Sequence, residues 1–415
     1  MTGVVVTGMG LITPVGTGPA ELFEALCTGR SGLRRPPADH PVAGSVEVAG
    51  IGPEVDAGMV LSGPEARVVD RNIVLAMLAA GQALADAGLS IGRDVDPYRV
   101  GAIVSTIGGL STLEAQVVER SARGRLSVSP YLLPGMLPNM ATARIAIRYG
   151  IRGYTSSIGT ACAAGAQSVG EGARLIRAGE ADVVLCGCSE APLLPTLADG
   201  FANARVLARG WSDPTAASRP FDRRRNGMVL GEGVGVLVLE RAGHAAARGA
   251  AGYADLLGWG ATTDAHHPTT PRPDGTGAAE CMRRALADAG LAPADIGYLN
   301  AHGTGTKLGD IAETRAIQAV FGAASPAVSS SKAVTGHLLG ASGVVEAAAT
   351  VSALRSGLLP PTWNLDDPDP ACELDHVRKA PRATAVVAAM SNSFGFGGHN
   401  VSLVFGQPST SRGRG

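Results

Sequence analysis

A chain of 415 residues, 45% hydrophobic and 17% charged, can bury a large core and exceeds one ordinary compact domain. A formal net charge of −1 provides no global attraction to nucleic acid or to an anionic membrane, so any charged partner must be met locally. Cys27, Cys162, Cys186, Cys188, Cys281 and Cys372 are scattered without a disulfide framework or paired metal-type motifs, which points to a reduced, cytoplasmic setting.

The opening MTGVVVTGMGLITPVG is apolar but lacks the basic region of a signal peptide, and its Gly and Pro residues suit a strand followed by a turn. No stretch reaches the roughly 20 apolar residues of a membrane span without Gly, Pro or charge. Short β-branched runs at 3–10, 99–106, 181–190 and 233–240 alternate with Ala/Leu-rich helical stretches such as 72–88. A second series follows: strand-like 253–262, a helix over 275–290, strand-like 296–305 and 327–336, a helix from about 340 to 356, and a long strand-rich end at 384–406. This alternation predicts an α/β fold with mostly buried strands. The second series echoes the first, so two similar halves are expected, 1–251 and 252–407, with 408–415 as a disordered tail.

Several polar or reactive groups have plain structural readings. Cys186 and Cys188 alternate on a predicted buried strand, where cysteine acts as a small apolar residue. Asp264, His266 and His267 lack a helical metal-ligand spacing and a third clear ligand, so 262–275 is read as an ordered loop and no metal is expected. The run SRPFDRRRNG (218–227) is read as a solvated or internally paired loop.

Cys162 has a different setting. A strand-like YTSSIGT gives way to ACAAGAQSVGEGARLIRAG, a predicted helix with no charge before Glu171. A cysteine at a helix N-terminus meets the positive end of the macrodipole, which favours thiolate, and free N–H groups there can stabilise an oxyanion. The small neighbours allow close packing and leave an approach to sulfur for a long, thin substrate. Alone, such a cysteine would be read as structural. It is joined, however, by two glycine-flanked histidines, His302 in NAHGTGTKLGD and His337 in SSSKAVTGHLLGASG, and by the Gly-rich NSFGFGGHN. Thr304 and Thr306 offer hydroxyls for an amide-rich ligand.

With VVVTGMGLITPVG, TACAAG, SRPFD, VLGEGVGVLVLE, NAHGTGT, KAVTGHLLGASG and NSFGFGGHN in this order, the chain resembles an elongating β-ketoacyl-acyl carrier protein synthase, a KAS II-like condensing enzyme. The resemblance covers essentially the whole chain and implies a thiolase-like fold, two α/β halves stacked as α-β-α-β-α. It implies that Cys162 holds the acyl chain as a thioester, and that His302 and His337 stabilise the enolate of decarboxylated malonyl-carrier. Backbone N–H groups of Cys162 and Phe396 would hold the oxyanion. Lys332 and Glu346 would form a supporting ion pair, Phe396 a gate, and Ile107 part of the acyl pocket. Arg67 and Arg205 match carrier-docking positions, with Arg125 a substitute where Val68 and Ser127 stand in place of frequent lysines. Lys307 and His399 also depart from the usual pattern.

The implied partners are an acyl carrier protein, loaded with malonyl or acyl groups, and a second subunit. That subunit is either an identical copy or a chain-length factor of a type II polyketide synthase. No cofactor is implied. A silent chain-length factor is disfavoured by Cys162 itself, and a Cys-His hydrolase by the paired histidines and the lack of a clear orienting Asn or Asp. Chain length, pathway and cognate carrier stay open.

Overall fold

The structure, a computed structural model, describes residues 2–408, so all but the first residue of the predicted tail lies outside the described residues. In chain order the first half comprises β1 (Val4–Thr13), α1 (Gly18–Thr28), α2 (Arg71–Asp86), β2 (Val100–Ser105), α3 (Met140–Tyr149), β3 (Thr155–Ser156), α4 (Ala164–Arg177), β4 (Val183–Glu190) and β5 (Gly233–Arg241). The second comprises β6 (Ala254–Thr263), α5 (Thr276–Ala289), β7 (Ile296–Asn300), α6 (Lys307–Phe321), β8 (Ala327–Ser329), α7 (Ala341–Ser356), β9 (Ala388–Gly395) and β10 (His399–Gly406).

The main sheet runs β8-β7-β9-β10-β6-β1-β5-β4-β2-β3. Read outward from the centre, both halves have the order first, fifth, fourth, second, third. The strand directions repeat as well: β2 is parallel to β3 and β4, as β7 is to β8 and β9, while β5 and β10 are antiparallel to their neighbours. The halves join through a short antiparallel contact, Val5 opposite Asp255 and Val6 opposite Ala254.

Helices form three layers around the two half-sheets. On one outer face Ile73 and Leu75 of α2 and Ile145 of α3 pack on Val100, Val104 and Val236. On the other, Met282 of α5 and Ile317 of α6 pack on Leu299 and Met390. Between the half-sheets lie α1, α4 and α7, with Leu26, Val169 and Val344 sharing a core with Leu237 and Leu403. This is the α-β-α-β-α stack of the thiolase-like fold. A helix enclosed by sheets on both sides must be thin and apolar all round, and α7 buries nearly every residue from Ala341 to Leu354. Small residues permit it: a Cβ on Gly165 would stand 2.5 Å from the Gly340 carbonyl oxygen, and one on Gly343 would stand 2.7 Å from Ala166 N.

The 218–227 run is paired, as one of its two readings had it, but it is largely buried and not solvated. Arg219 meets Asp222 at 3.1 Å, and Arg225, 1% exposed at its side chain, meets Asp310 at 3.3 Å and Asp369 at 2.7 Å. His267 Nδ1 accepts the N–H groups of Thr269 and Thr270, both at 3.1 Å, which orders its loop. Cys186 and Cys188 are fully buried on β4, and all six cysteines are free thiols. No described helix is long and apolar enough to cross a membrane.

Candidate active site

The chemistry gathers at the C-terminal ends of parallel strands, where chain crossovers leave space for a ligand. Cys162 follows β3, His302 follows β7, Lys332 and His337 follow β8, and Phe396 follows β9. Cys162 lies in a single 3-10 turn, Ala161–Ala163, that leads into α4, rather than on the α-helix itself. Ala161 just before it has φ 48°, a left-handed value costly for a residue with a Cβ. That sharp turn is closely packed. Beneath it only glycine fits at 395, since a Cβ there would lie 2.8 Å from Thr160 O and 3.0 Å from Cys162 N.

His337 Nε2 stands 3.2 Å from Cys162 Sγ. On its other side Nδ1 is 3.1 Å from Ser342 Oγ, which accepts the Leu338 N–H at 2.9 Å. The serine hydroxyl proton can then point at Nδ1, and in that arrangement Nε2 is the protonated ring nitrogen. His302 reaches the same tautomer by another route. Its Nδ1 is 3.3 Å from Lys332 Nζ, and an ammonium can only donate, so Nε2 again carries the proton. The two rings meet edge to face with centroids 5.3 Å apart. Lys332 is anchored by a direct ion pair to Glu346, and both are almost fully buried.

Burial lowers both histidines well below the ordinary imidazole value, and the Lys332 cation lowers them further. Both therefore stay neutral and present N–H donors. Cys162 differs from the sequence-based expectation of a favoured thiolate: burial pushes the thiol up to about 11. The Lys332 charge and the N–H groups of Phe396 and Cys162 itself pull it downward, but desolvation outweighs them. Those two N–H groups face the sulfur, at the place expected for the oxyanion.

Phe396 is 37% exposed, and its ring centroid lies 6.4 Å from that of Phe201. Gly397 and Gly398 behind it have φ of 86° and 76°, values that favour glycine. Thr304 and Thr306 are half-buried and pair with each other at 2.9 Å. Ile107 is not in the core; its side chain is 36% exposed while its N–H is held by Glu190. Arg67, Arg125 and Arg205 are exposed on separate elements and make no ion pair among the described residues. Arg205 has φ 58°.

Sequence reasoning passed over three buried groups that hold the site. Ser342 orients His337. Glu313 accepts His302 N–H at 2.8 Å and Gly303 N–H at 2.7 Å, and burial raises its carboxyl to about 7. Asp310 accepts the N–H groups of Gly305 and Phe221 at 3.1 and 2.8 Å. Glu313 and Asp310 sit three residues apart on α6, a spacing that puts both carboxyls on one helix face toward the His302 loop, so that signal was available.

The β-ketoacyl synthase N-terminal domain matches residues 1–245 and its C-terminal domain residues 253–366. The chain is 44% identical over 409 residues to 3-oxoacyl-[acyl-carrier-protein] synthase 2 of Synechocystis sp., covering 97% of each. Among solved structures it superposes on the AntDE:AntF complex, a type II PKS acyl-carrier protein with its ketosynthase. The TM-score is 0.90 and the identity 30%, over 98% of this chain and 100% of that one. The ishigamide ketosynthase/chain length factor gives a TM-score of 0.91 and 33% identity with the same coverage. With both domains matched and 44% identity to a synthase over 97% of each chain, the chain belongs to the β-ketoacyl synthase family of acyltransferases.

Proposed function

We propose that the protein joins malonyl-carrier to an acyl chain held on Cys162, releasing carbon dioxide and forming a β-ketoacyl thioester. The carrying observation is the placement of two neutral Nε2–H donors, on His302 and His337, around one buried thiol at an elbow. In the first half-reaction Cys162 attacks the acyl-carrier thioester; the sulfur forms a new thioester bond and the carrier thiol leaves with the proton. In the second, malonyl-carrier loses carbon dioxide while the histidine N–H groups bind the thioester oxygen that gains charge as the enolate forms. The enolate carbon attacks the acyl-enzyme carbonyl, whose oxygen is held by the N–H groups of Cys162 and Phe396; collapse breaks the C–S bond and expels the Cys162 thiolate, which takes up a proton from water. Lys332, fixed by Glu346, keeps His302 in its donor tautomer. Phe396 serves as the gate, with Gly397 and Gly398 as its hinge. Thr304 and Thr306 bind the amides of the carrier arm.

The physiological partner in this reading is an acidic acyl carrier protein met by Arg67, Arg125 and Arg205. A second subunit completes the assembly. Support comes from β3, which ends the sheet with one edge unpaired, and from the exposed side chains of Ile147 and Tyr154 beside it. The partner is a second copy of the chain or a chain-length factor, and the similarity to both synthase 2 and type II PKS ketosynthases is compatible with either pathway. The unpaired thiols favour a cytoplasmic setting. Residues 252–407 are read as the second half and 408–415 as a tail. Incubation with acyl-carrier followed by peptide mass measurement tests the scheme: the acyl mass is expected on the Cys162 peptide, and its absence overturns the assignment.

A further inference from the structure

Glu190 ends β4 with 1% exposure and makes no ion pair among the described residues, yet the reaction above gives it no task. A carboxyl group is costly to bury, so a site that retains one without a cation needs a reason. Its oxygens accept the Ile107 N–H at 3.2 and 3.3 Å, and the Cys188 thiol donates to it at 3.6 Å. The Thr106 hydroxyl also bonds to it, and that hydroxyl receives Asn72 Nδ2 at 2.6 Å and the Gly108 N–H at 3.1 Å. Strand register makes this meeting unavoidable, because Ser105 at the end of β2 lies opposite Cys188 of β4.

The same carboxyl reaches the nucleophile elbow. A Cβ on Gly340 would lie 2.8 Å from Glu190 Oε1 and 3.1 Å from the Ala161 carbonyl oxygen, so Glu190 and the elbow pack on one glycine. At the far end of the 106–112 segment Asp70 takes the Ser111 hydroxyl at 2.7 Å and the Thr112 N–H at 3.0 Å. The segment is thus clamped at both ends by buried carboxyls, while the Ile107 side chain between them stays 36% exposed.

We propose that the exposed Ile107, linked to the elbow through Glu190 and Gly340, faces the acyl chain as a wall, and that Glu190 is a positioning residue that fixes the Thr106–Gly108 turn and so sets how long a chain is accepted. This rests on the ketosynthase reading. A wall fixed from below discriminates between chains that differ by a few methylenes; a wall free to move does not. Burial raises Glu190 to about 8, so it is mostly the neutral acid at neutral pH; where it ionises, its charge pushes the Cys162 thiol further up.

The test compares butyryl-carrier with dodecanoyl-carrier as acyl donor, using malonyl decarboxylation as the internal reference. Glu190→Ala should change the ratio of the two kcat/KM values by about tenfold, with decarboxylation altered less than about twofold. Glu190→Gln keeps a carbonyl oxygen for the Ile107 N–H and should return the ratio to within about threefold of wild type. Thr106→Val, which keeps the shape and removes the hydroxyl, should move the ratio in the same direction as the alanine variant and covers the case in which that variant does not fold. An unchanged ratio in Thr106→Val, an equal loss on both donors and on decarboxylation in Glu190→Ala, or a folded Glu190→Gln that behaves as the alanine variant would each overturn the proposal. Failure of the ketosynthase reading itself has a separate signature: wild-type protein that condenses neither donor.

Discussion

His337 Nε2 faces Cys162 Sγ at 3.2 Å, and with Ser342 donating to Nδ1 that nitrogen is a donor and not a proton acceptor. The pair is therefore not a resting thiolate–imidazolium couple. In the proposed reaction a carbonyl oxygen arriving at the sulfur would meet a donor already aimed, and the thiol would keep its own proton until attack. Cys162→Gln should accordingly abolish acyl loading and condensation but retain malonyl decarboxylation. His302→Ala and His337→Ala should retain acyl-enzyme detectable by mass and lose decarboxylation by about two to four orders of magnitude. Loss of decarboxylation in the glutamine variant as deep as in the histidine variants would end the separation of roles.

Ser342→Ala removes the hydroxyl that fixes the His337 tautomer and also strands the Leu338 N–H. Decarboxylation should fall about 10- to 100-fold with little change in the KM for malonyl-carrier, since the donor is misdirected and the binding surface is untouched. Threonine at 342 should recover part of the rate. Equal kcat values for the alanine variant and wild type would show that the ring needs no such support.

A pH effect on stability follows from Glu190. Its folded pKa of about 8 is above the ordinary carboxyl value of 4.5, so the folded state binds the proton more tightly. Its contribution is fully present below the unfolded value and is lost as pH rises through the window from about 4.5 to about 8. Glu190→Gln cannot ionise. Between pH 6 and pH 9 its melting temperature should fall less than that of wild type, by about 2–4 °C in calorimetry. Parallel curves for the two proteins would place the burden of alkaline destabilisation elsewhere.

Docking is testable by charge reversal. Arg67→Glu, Arg125→Glu or Arg205→Glu should raise the KM for carrier-bound substrate about tenfold at low salt and leave short soluble thioesters nearly unaffected. Equal losses on both substrate types would indicate misfolding and remove these residues from the carrier face.

Light scattering addresses the second subunit. The unpaired edge of β3 and the exposed Ile147 and Tyr154 predict a dimer at micromolar concentration, or a chain that is soluble only with a chain-length factor. A stable monomer would refute both.

How much of this was legible beforehand differs from residue to residue. The alternation of strand and helix is a local pattern, and α5 and α7 fall within a residue or two of where the pattern put them. Cys162, His302 and His337 stood out because each interrupts an apolar or glycine-rich stretch. The thiol's resting state did not follow: the helix end is visible in sequence, whereas desolvation comes from segments far along the chain. Glu190 escaped for a related reason, since its partner Ile107 lies 83 residues away and only the crossovers bring the two near. Ser342 and Glu313 hold groups only 4 to 11 residues away, so theirs was a local signal, hidden because each is an ordinary polar residue on a helix. The stretch 153–160, read as a strand, forms only the two-residue β3 before the chain turns toward the elbow.

The strand order, repeated in both halves, also bears on how such a site can come to exist. In each half the crossover from third to fourth strand carries the central helix, α4 or α7, and a residue at φ 48° stands just before it: Ala161 in one, Leu339 in the other. The two bends share a shape but not their side chains: Cys162 stands one residue after Ala161 where the second half has Gly340, and His337 stands two residues before Leu339 where the first half has Gly159. Each half thus lends the shared cleft a group that the other half lacks at the matching place.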